Sequence, residues 1–589
     1  MHLFRYSCCK RGGQLLVALF MLCVLLPLPA AELPPSVTRG SQPILDSDVD
    51  VEPMKYPEIT IESPALPVLK DEDPRAPRME FKRFEILGVI ERPDLGITKE
   101  IVTRIATDEA YMIAPMKPPF GFTIGMFEHI ANTVTNYYRG KGFFLARAYI
   151  PEQVVQDGVI KIHVIESFLD RVVFDGNKVY SDEQLEKLFT DLIGNSIYKD
   201  SIEQKLFFLN DLPGLEASSV FGPGAKPGSA AMLVKVKDEK RRGFVSFDNY
   251  GSIFTGENRL RLHYDFNNTF NSADRLSLNL LANFSPQNGL YGDLSYVQPV
   301  FNSKYRIGGG ISYNQFDVGQ ELEDLGITGE SLIANGFISK NIIRSRLDNL
   351  TVGIDLSLKN ATSKVIDTVA AEDKLTVFRF DAAYGGIDRW KWPAQHSATA
   401  SLSVGVADFL GSMDSNGNEL SGRRGGSGQF AGGDFSKLVL SYTRSQPIFE
   451  LQTLLFRYRG QYTSDMLVAI EQFSLGGPDT VRAYPVAEAL VDKATFLSFE
   501  WIAFVSPEIE YTWLNKFQFS VFYDYAKGSK NDPLVNDIAS VTLAGPGFSV
   551  QVKPFDVVSA RIDFAFDVGG DEPTDNQTLP FYFRLAYDF

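Results

Sequence analysis

The chain has 589 residues, 44% hydrophobic and 12% aromatic, with 45 Phe and 24 Tyr against only four Trp. At roughly 150 residues per domain this allows two to four domains, and the apolar content excludes wholesale disorder. The net charge of −16, from 57 basic and 73 acidic residues, argues against nucleic-acid binding, which rests on neutralising phosphates. The three cysteines, Cys8, Cys9 and Cys23, and the five scattered histidines form no zinc spacing and no H-E-x-x-H. No Ser/His/Asp set can be assembled, so the chain reads as a non-enzyme without metal or cofactor.

The N-terminus has the layout of a secretory leader. Arg5, Lys10 and Arg11 precede the apolar run Leu15–Leu28, followed by Pro29-Ala30-Ala31-Glu32. A membrane anchor is the alternative, but the run is shorter than the ~20 residues that span a bilayer, and Pro27 and Pro29 end it. Residues 1–31 are therefore predicted to be a signal peptide. Its removal would leave a chain without cysteine, suited to an oxidising compartment. Residues 32–79 read as an extended, solvated tether, with nine prolines between 32 and 77. No other continuous apolar stretch approaches 18 residues, which excludes a helical membrane bundle but not a β-barrel.

Two small α/β modules are predicted next, at 80–166 and 167–240. In the first, Phe84–Ile90 is strand-like, and Thr123 caps a helix with Ile124, Phe127, Ala131, Val134 and Tyr138 on one stripe. Strands at 143–150 and 159–166 follow. In the second, Leu169–Phe174 is a strand, and Ser181-Asp-Glu-Gln184 is a capping box opening a helix through Leu185, Leu188, Phe189 and Leu192. Another helix is predicted over 201–212, then strands at 217–221 and 230–236. Gly222–Gly228 is glycine-rich but lacks the G-K-[ST] of a phosphate loop and reads as a turn.

From about residue 241 the pattern alternates. In Leu350-Thr-Val-Gly-Ile-Asp-Leu-Ser-Leu358 every second residue is apolar, and the same dyad recurs in Phe517/Phe519/Val521/Tyr523 and Ala560/Ile562/Phe564/Phe566. The interleaved faces carry Gln518, Ser520 and Asp524 in one case and Arg561, Asp563 and Asp567 in the other. A soluble sandwich also alternates. These strands, however, run about nine to eleven residues, the length that crosses a tilted bilayer, with aromatics on the apolar faces. An all-β transmembrane barrel is thus predicted over 241–589. Sixteen antiparallel strands fall near 242–250, 257–268, 273–284, 289–300, 304–316, 328–341, 347–360, 374–386, 395–407, 434–446, 450–463, 494–506, 515–526, 541–552, 557–569 and 579–589. Sixteen strands enclose a water-sized lumen that something must fill or gate. The last strand alternates Phe581, Phe583, Leu585, Tyr587 and Phe589 to the terminus, the form that outer-membrane barrels present to their assembly machinery.

Two long connections remain. The Gly/Ser-rich 408–433 reads as a flexible surface loop. The other holds Gln472-Phe-Ser-Leu-Gly-Gly-Pro-Asp-Thr-Val-Arg-Ala-Tyr-Pro485, in which Val481, Arg482, Ala483 and Tyr484 resemble the V-R-G-Y loop signature of the POTRA-plus-barrel transporters. Phe517-Gln-Phe-Ser-Val-Phe-Tyr-Asp-Tyr-Ala-Lys-Gly528 resembles that family's F-x-D-x-G-type strand through Phe522, Asp524 and Gly528. Lys141–Pro151 and Leu209-Asn-Asp-Leu-Pro-Gly214 resemble the POTRA segments of its two-partner secretion branch, the haemolysin-activator and haemagglutinin exporters. The resemblance spans about residues 80–589. It implies an outer-membrane transporter whose periplasmic POTRA domains take an unfolded haemolysin- or adhesin-like exoprotein and whose barrel conducts it to the surface. An assembly factor for other barrels is the alternative within the superfamily, although that branch typically carries more POTRA modules. A porin or surface enzyme is disfavoured by the two modules and the loop.

The resemblance also implies that Arg482 lies inside the barrel against Asp524, the alternative being that each is simply solvated. The dyad independently puts Asp524 on the lumen face, where an unpaired carboxylate is costly and a bidentate arginine pair is strong. Ala483 stands where the family usually has Gly, and a positive φ there would cost about 1 kcal/mol. The family often has an N-terminal helix that plugs the pore; the proline-rich 32–77 shows no readable helix pattern, which leaves the presence of a plug open.

Overall fold

The computed structural model describes residues 77–114, 120–284, 289–300, 303–388, 390, 392–505, 516–535, 537–575, 577 and 579–589. The predicted leader and nearly all of the tether lie outside these residues.

Two small α/β modules precede a closed barrel. The first has strands β1 (Arg83–Leu87), β2 (Arg147–Tyr149) and β3 (Val159–Ile165) in the order β1-β3-β2. Helices α1 (Lys99–Ile113) and α2 (Ile124–Gly140) cover it. Thr98 and Thr123 cap these helices by accepting from the amides of Ile101 and Met126. The expected strand over 143–150 shrinks to three residues, because Phe143 and Phe144 are spent on packing. Phe143 enters the core of the first module and Phe144 that of the second, so adjacent residues tie the modules together. Arg92 reinforces the junction with a 2.5 Å bond to Glu166.

The second module repeats the plan with β4 (Phe168–Asp175), α3 (Asp182–Glu186), α4 (Lys199–Asn210), β5 (Leu215–Pro223) and β6 (Ser229–Asp238), in sheet order β4-β6-β5. The Ser181/Gln184 capping box is present, but the helix it opens is short. Turns continue from it, and they still bury Leu188 and Phe189.

The barrel begins with β7 (Arg241–Asp248), β8 (Asn258–Asn267), β9 (Arg275–Phe284), β10 (Gly289–Val300), β11 (Tyr305–Asp317) and β12 (Ile327–Arg344). It continues with β13 (Asp348–Val365), β14 (Thr368–Ile387), β15 (Gln395–Gly405), β16 (Phe435–Phe449) and β17 (Gln452–Tyr462). A small hairpin, β18 (Phe473–Leu475) and β19 (Ala489–Val491), interrupts the series. The wall resumes with β20 (Lys493–Val505), β21 (Lys516–Ser529), β22 (Ser540–Phe555), β23 (Val558–Ala565) and β24 (Phe581–Asp588). Sixteen antiparallel strands close by pairing β24 with β7. The end residue joins the seam, with Gly243 and Phe589 exchanging two 2.9 Å backbone bonds.

Each strand's outward row is apolar and half-exposed, as in Val521, Tyr523, Ile562, Leu585 and Phe589. Such a surface is stable in contact with lipid. No helix among the described residues is long and apolar enough to cross a membrane. Strands β12, β13 and β14 reach 18, 18 and 20 residues, longer than the predicted nine to eleven, because their hairpins continue pairing past the bilayer.

The second module docks on one rim. Asp211, capping α4, takes bonds of 2.9 and 2.6 Å from Arg344 on β12. Gln184 donates at 2.7 Å to the Asn271 carbonyl in the β8–β9 turn. These contacts define the module-bearing rim, and the connections 406–434, 463–492 and 530–539 start from the opposite one.

Candidate functional site: the arginine loop and its wall

Alternation decides which side chains face inward. On β21 the inward row is Ser520, Phe522, Asp524, Ala526 and Gly528; on β20 it includes Phe496, Ser498 and Glu500; on β23 it includes Arg561 and Asp563. Register then sets Asp524 beside Ser498 on one neighbour and Gly545 on the other, and Phe522 between Glu500 and Gly547.

The connection 463–492 folds back against this wall. Val481, Arg482, Ala483 and Tyr484 are all at most 1% exposed. Arg482 Nε donates to Asp524 Oδ2 at 2.7 Å and Nη2 to Oδ1 at 2.9 Å, and the Arg482 amide adds a bond of 3.3 Å to Oδ2. Nη1 turns to Glu500 Oε2 at 3.1 Å and lies 3.7 Å from Asp563. The guanidinium carbon sits 3.2 Å above the centroid of the Phe522 ring, adding a cation–π contact. Arg457 and Arg561 stand 3.7 and 3.8 Å from Glu500, and Arg561 meets Asp563 at 2.8 Å. Three arginines thus face three carboxylates, and the charge balances within the cluster. Hydroxyls fill the remaining acceptor positions: Ser498 donates to Asp524 at 2.7 Å, Ser520 to Glu500 at 2.6 Å, and Ser549 to Asp563. Burial of this much charge is tolerable only because nearly every group is paired.

The loop needs space as well as charge. A Cβ on Gly545 would lie 2.4 Å from the Cβ of Ala483, and one on Gly547 would lie 2.2 Å from the Phe522 ring. Those two glycines hollow the wall where the loop and ring lie. Ala483 itself is absent from the positive-φ residues, so the expected backbone penalty does not arise; its methyl occupies the space above Gly545. Gly528 serves the same way under the hairpin, since a Cβ there would approach Val491 and Leu475 to 2.7 and 2.8 Å. Tyr484 ties the loop to the last strands, donating to the Asp571 carbonyl at 2.8 Å and accepting from Tyr582 at its own carbonyl at 2.6 Å.

The other long connection is not a free surface loop. Its Ala431 packs with Leu467 and Val468 of the arginine loop, and Gly422 donates to Asp373 at 2.9 Å. Glycine and serine content suggested mobility, but the glycines here allow tight approach between connections.

Sequence reasoning named Asp524 and the loop but not Glu500, Ser498, Arg457, Gly545 or Gly547. It placed Arg561 and Asp563 on a polar face without linking them to Arg482. Inward parity was the available signal for all of them. No group of three or more metal-ligating side chains occurs among the described residues.

Residues 228–544, just over half of the chain, match the haemolysin secretion/activation protein family ShlB/FhaC/HecB, and residues 121–167 match the ShlB-type POTRA domain. The chain belongs to the ShlB/FhaC/HecB family. It is an outer-membrane transporter of two-partner secretion, with its POTRA end in the periplasm. It is 23% identical over 487 residues to the heme/hemopexin transporter protein HuxB of Haemophilus influenzae, covering 80% of this chain and 81% of that one. The fold is similar to that of CdiB from Escherichia coli, with a TM-score of 0.67 and 17% identity over 90% of this chain and 94% of that one. BamA from Haemophilus ducreyi, lacking POTRA domains 1–3, shares the architecture more distantly, with a TM-score of 0.50 and 14% identity over 87% of this chain and all of that one. The ShlB-type family and POTRA matches favour secretion over the assembly-factor alternative, whose solved structure shares the fold at only 14% identity.

Proposed function

We propose that residues 80–166 and 167–240 act as two POTRA domains that capture an unfolded, haemolysin- or adhesin-like exoprotein in the periplasm. The barrel of 241–589 then conducts it outward past the arginine loop, and residues 1–31 and 32–79 serve as leader and tether. Capture occurs by strand addition, in which backbone hydrogen bonds recruit an extended segment whatever its side chains. The observation that supports this reading is that each module is a three-stranded sheet with edge strands, β1 and β2 in the first and β4 and β5 in the second; β5 is the freer edge of the second, since Leu169 on β4 already bonds to Gly194 and Asn195. Val481, Arg482, Ala483 and Tyr484, with Phe522, Asp524 and Gly528, keep the loop against the wall in the arrangement that transport requires. The C-terminal strand ending at Phe589 is the segment that the barrel assembly machinery recognises. No nucleotide site is invoked; folding of the exoprotein outside supplies direction.

Deletion of 80–166 tests the reading. Secretion of the exoprotein should cease while the barrel remains in the outer membrane. Normal secretion by that deletion would show that the first module is not the receptor.

A further inference from the structure

Three surface-side connections converge on one carboxylate that belongs to no recognised motif. Asp492, wholly buried, closes the arginine loop just after β19. Its Oδ1 accepts from Arg423 Nη1 at 3.3 Å, the Leu467 amide at 3.1 Å and Gln472 Nε2 at 3.1 Å. Its Oδ2 accepts from Arg423 Nη2 at 3.0 Å and the Asn531 amide at 2.6 Å. Arg423 comes from connection 406–434, Leu467 and Gln472 from 463–492, and Asn531 from 530–539. Arg423 also donates to the Asn531 carbonyl at 2.9 Å, and Ser427 reaches Asp532 through its hydroxyl at 2.5 Å. Beside this knot lies a cavity of about 1180 Å³ whose lining includes Arg424, Gly426, Val486, Leu490, Leu534 and Ile538.

None of the groups bonded to Asp492 bonds to Arg482 or Asp524, so these are two distinct charge clusters on the arginine loop, apart from the Glu471 pairs with Lys359 and Lys437. They differ in what they join. Arg482 binds the loop to barrel strands, whereas Arg423 binds it to two other connections. A dry ion pair is many times stronger than the same pair in water. Both partners are buried, so water entering between Arg423 and Asp492 would screen their attraction and loosen the bond.

We propose that Asp492 and Arg423 are positioning residues of an outer gate: they hold connection 406–434 across the surface mouth at rest and part as the exoprotein emerges, while Arg482 stays on Asp524. The proposal rests on the reading of this chain as an exporter, and its first test needs no cargo. Purified full-length protein in planar bilayers should show resting conductance several-fold higher for Arg423→Ala and Asp492→Asn than for the parent. Arg423→Lys, which keeps charge but loses the fork, should fall between. Heat-modifiable electrophoretic mobility checks that each barrel is folded.

The second test joins the connections covalently. The described residues contain no cysteine, so Ser427→Cys with Asp532→Cys can be bridged selectively by a short bis-thiol reagent with a reducible spacer. Bridging should lower export at least tenfold, and reduction should restore it. Unchanged resting conductance in folded Arg423→Ala and Asp492→Asn proteins would overturn the proposal, as would undiminished export through the bridged pair. Should the alanine variant not fold, the bridged pair decides. A protein with gated conductance that exports nothing would instead refute the exporter reading and leave the gate standing.

Discussion

Arg482 meets Asp524 edge to edge: two guanidinium nitrogens reach both carboxylate oxygens at 2.7 and 2.9 Å, across 42 residues of sequence. Removing one member of a buried pair strands the other, at a cost of about 3–5 kcal/mol. Arg482→Ala and Asp524→Ala should therefore each cut export sharply, and the double variant should be no worse than either single, with a coupling of about 0.5–3 kcal/mol. Exoprotein secreted per unit of folded barrel is the measurement. Additive losses would mean that the two residues do not act as a pair. Exchanging them should rescue little, because an aspartate at 482 would face Glu500 and Asp563, the acids that now lie 3.1 and 3.7 Å from the guanidinium.

Gly545 and Ala483 should tolerate change unequally. Ala483→Gly removes a methyl and frees the backbone, costing about 1 kcal/mol, so export should be nearly normal. Gly545→Ala puts its Cβ 2.4 Å from Ala483 but also 2.3 Å from the Phe566 carbonyl. Combining it with Ala483→Gly should restore only part of the loss, because the backbone clash persists. Full restoration would show that the side-chain contact alone sets the limit.

The docking of the second module rests on Asp211, which Arg344 grips through two nitrogens while its guanidinium carbon lies 5.0 Å from the Phe207 ring centroid. Asp211→Asn keeps the shape and loses the charge. Spin labels placed on α4 and on β12 should give a broader distance distribution in that variant. An unchanged distribution would mean that the Gln184 contacts suffice.

Glu471 provides a pH handle on the arginine loop. Burial alone would raise its carboxyl, but the Lys359 and Lys437 ammonium groups, at 2.6 and 2.8 Å, pull it down to about 2. A carboxyl with a depressed folded-state value stabilises fully above its ordinary range, near 4.3, and loses that contribution as pH falls toward 2. Protection of the loop from an acid-active protease should thus hold down to about pH 4 and decline below it. Glu471→Gln should lower protection at neutral pH and flatten the acid decline. Protection in that variant equal to the parent's at neutral pH would remove Glu471 from the loop's supports.

The barrel and its count of strands were legible in the one-dimensional pattern. Side-chain direction alternates with period two whatever the partner strand, so Leu350–Leu358 and the terminal Phe581–Phe589 reveal their faces locally. The same parity put Asp524 inside, and the Thr123 cap and the Ser181 box marked helix starts for the same local reason. Parity says which way a side chain points, but not what stands opposite. The setting of Asp524 between Ser498 and Gly545 depends on register, which many weak contacts between strands decide together. The path of 463–492 into the lumen, the hollow made by Gly545 and Gly547, and the meeting of Arg423 with Asp492 across 69 residues exist only once the sheet has closed. Sequence by itself determined the two modules, the lipid-facing rows and the inward position of Asp524, because each follows from neighbours a few residues away. Only the tertiary structure decided the charge partners and the convergence of three surface-side connections on Asp492, because those depend on where distant segments come to rest.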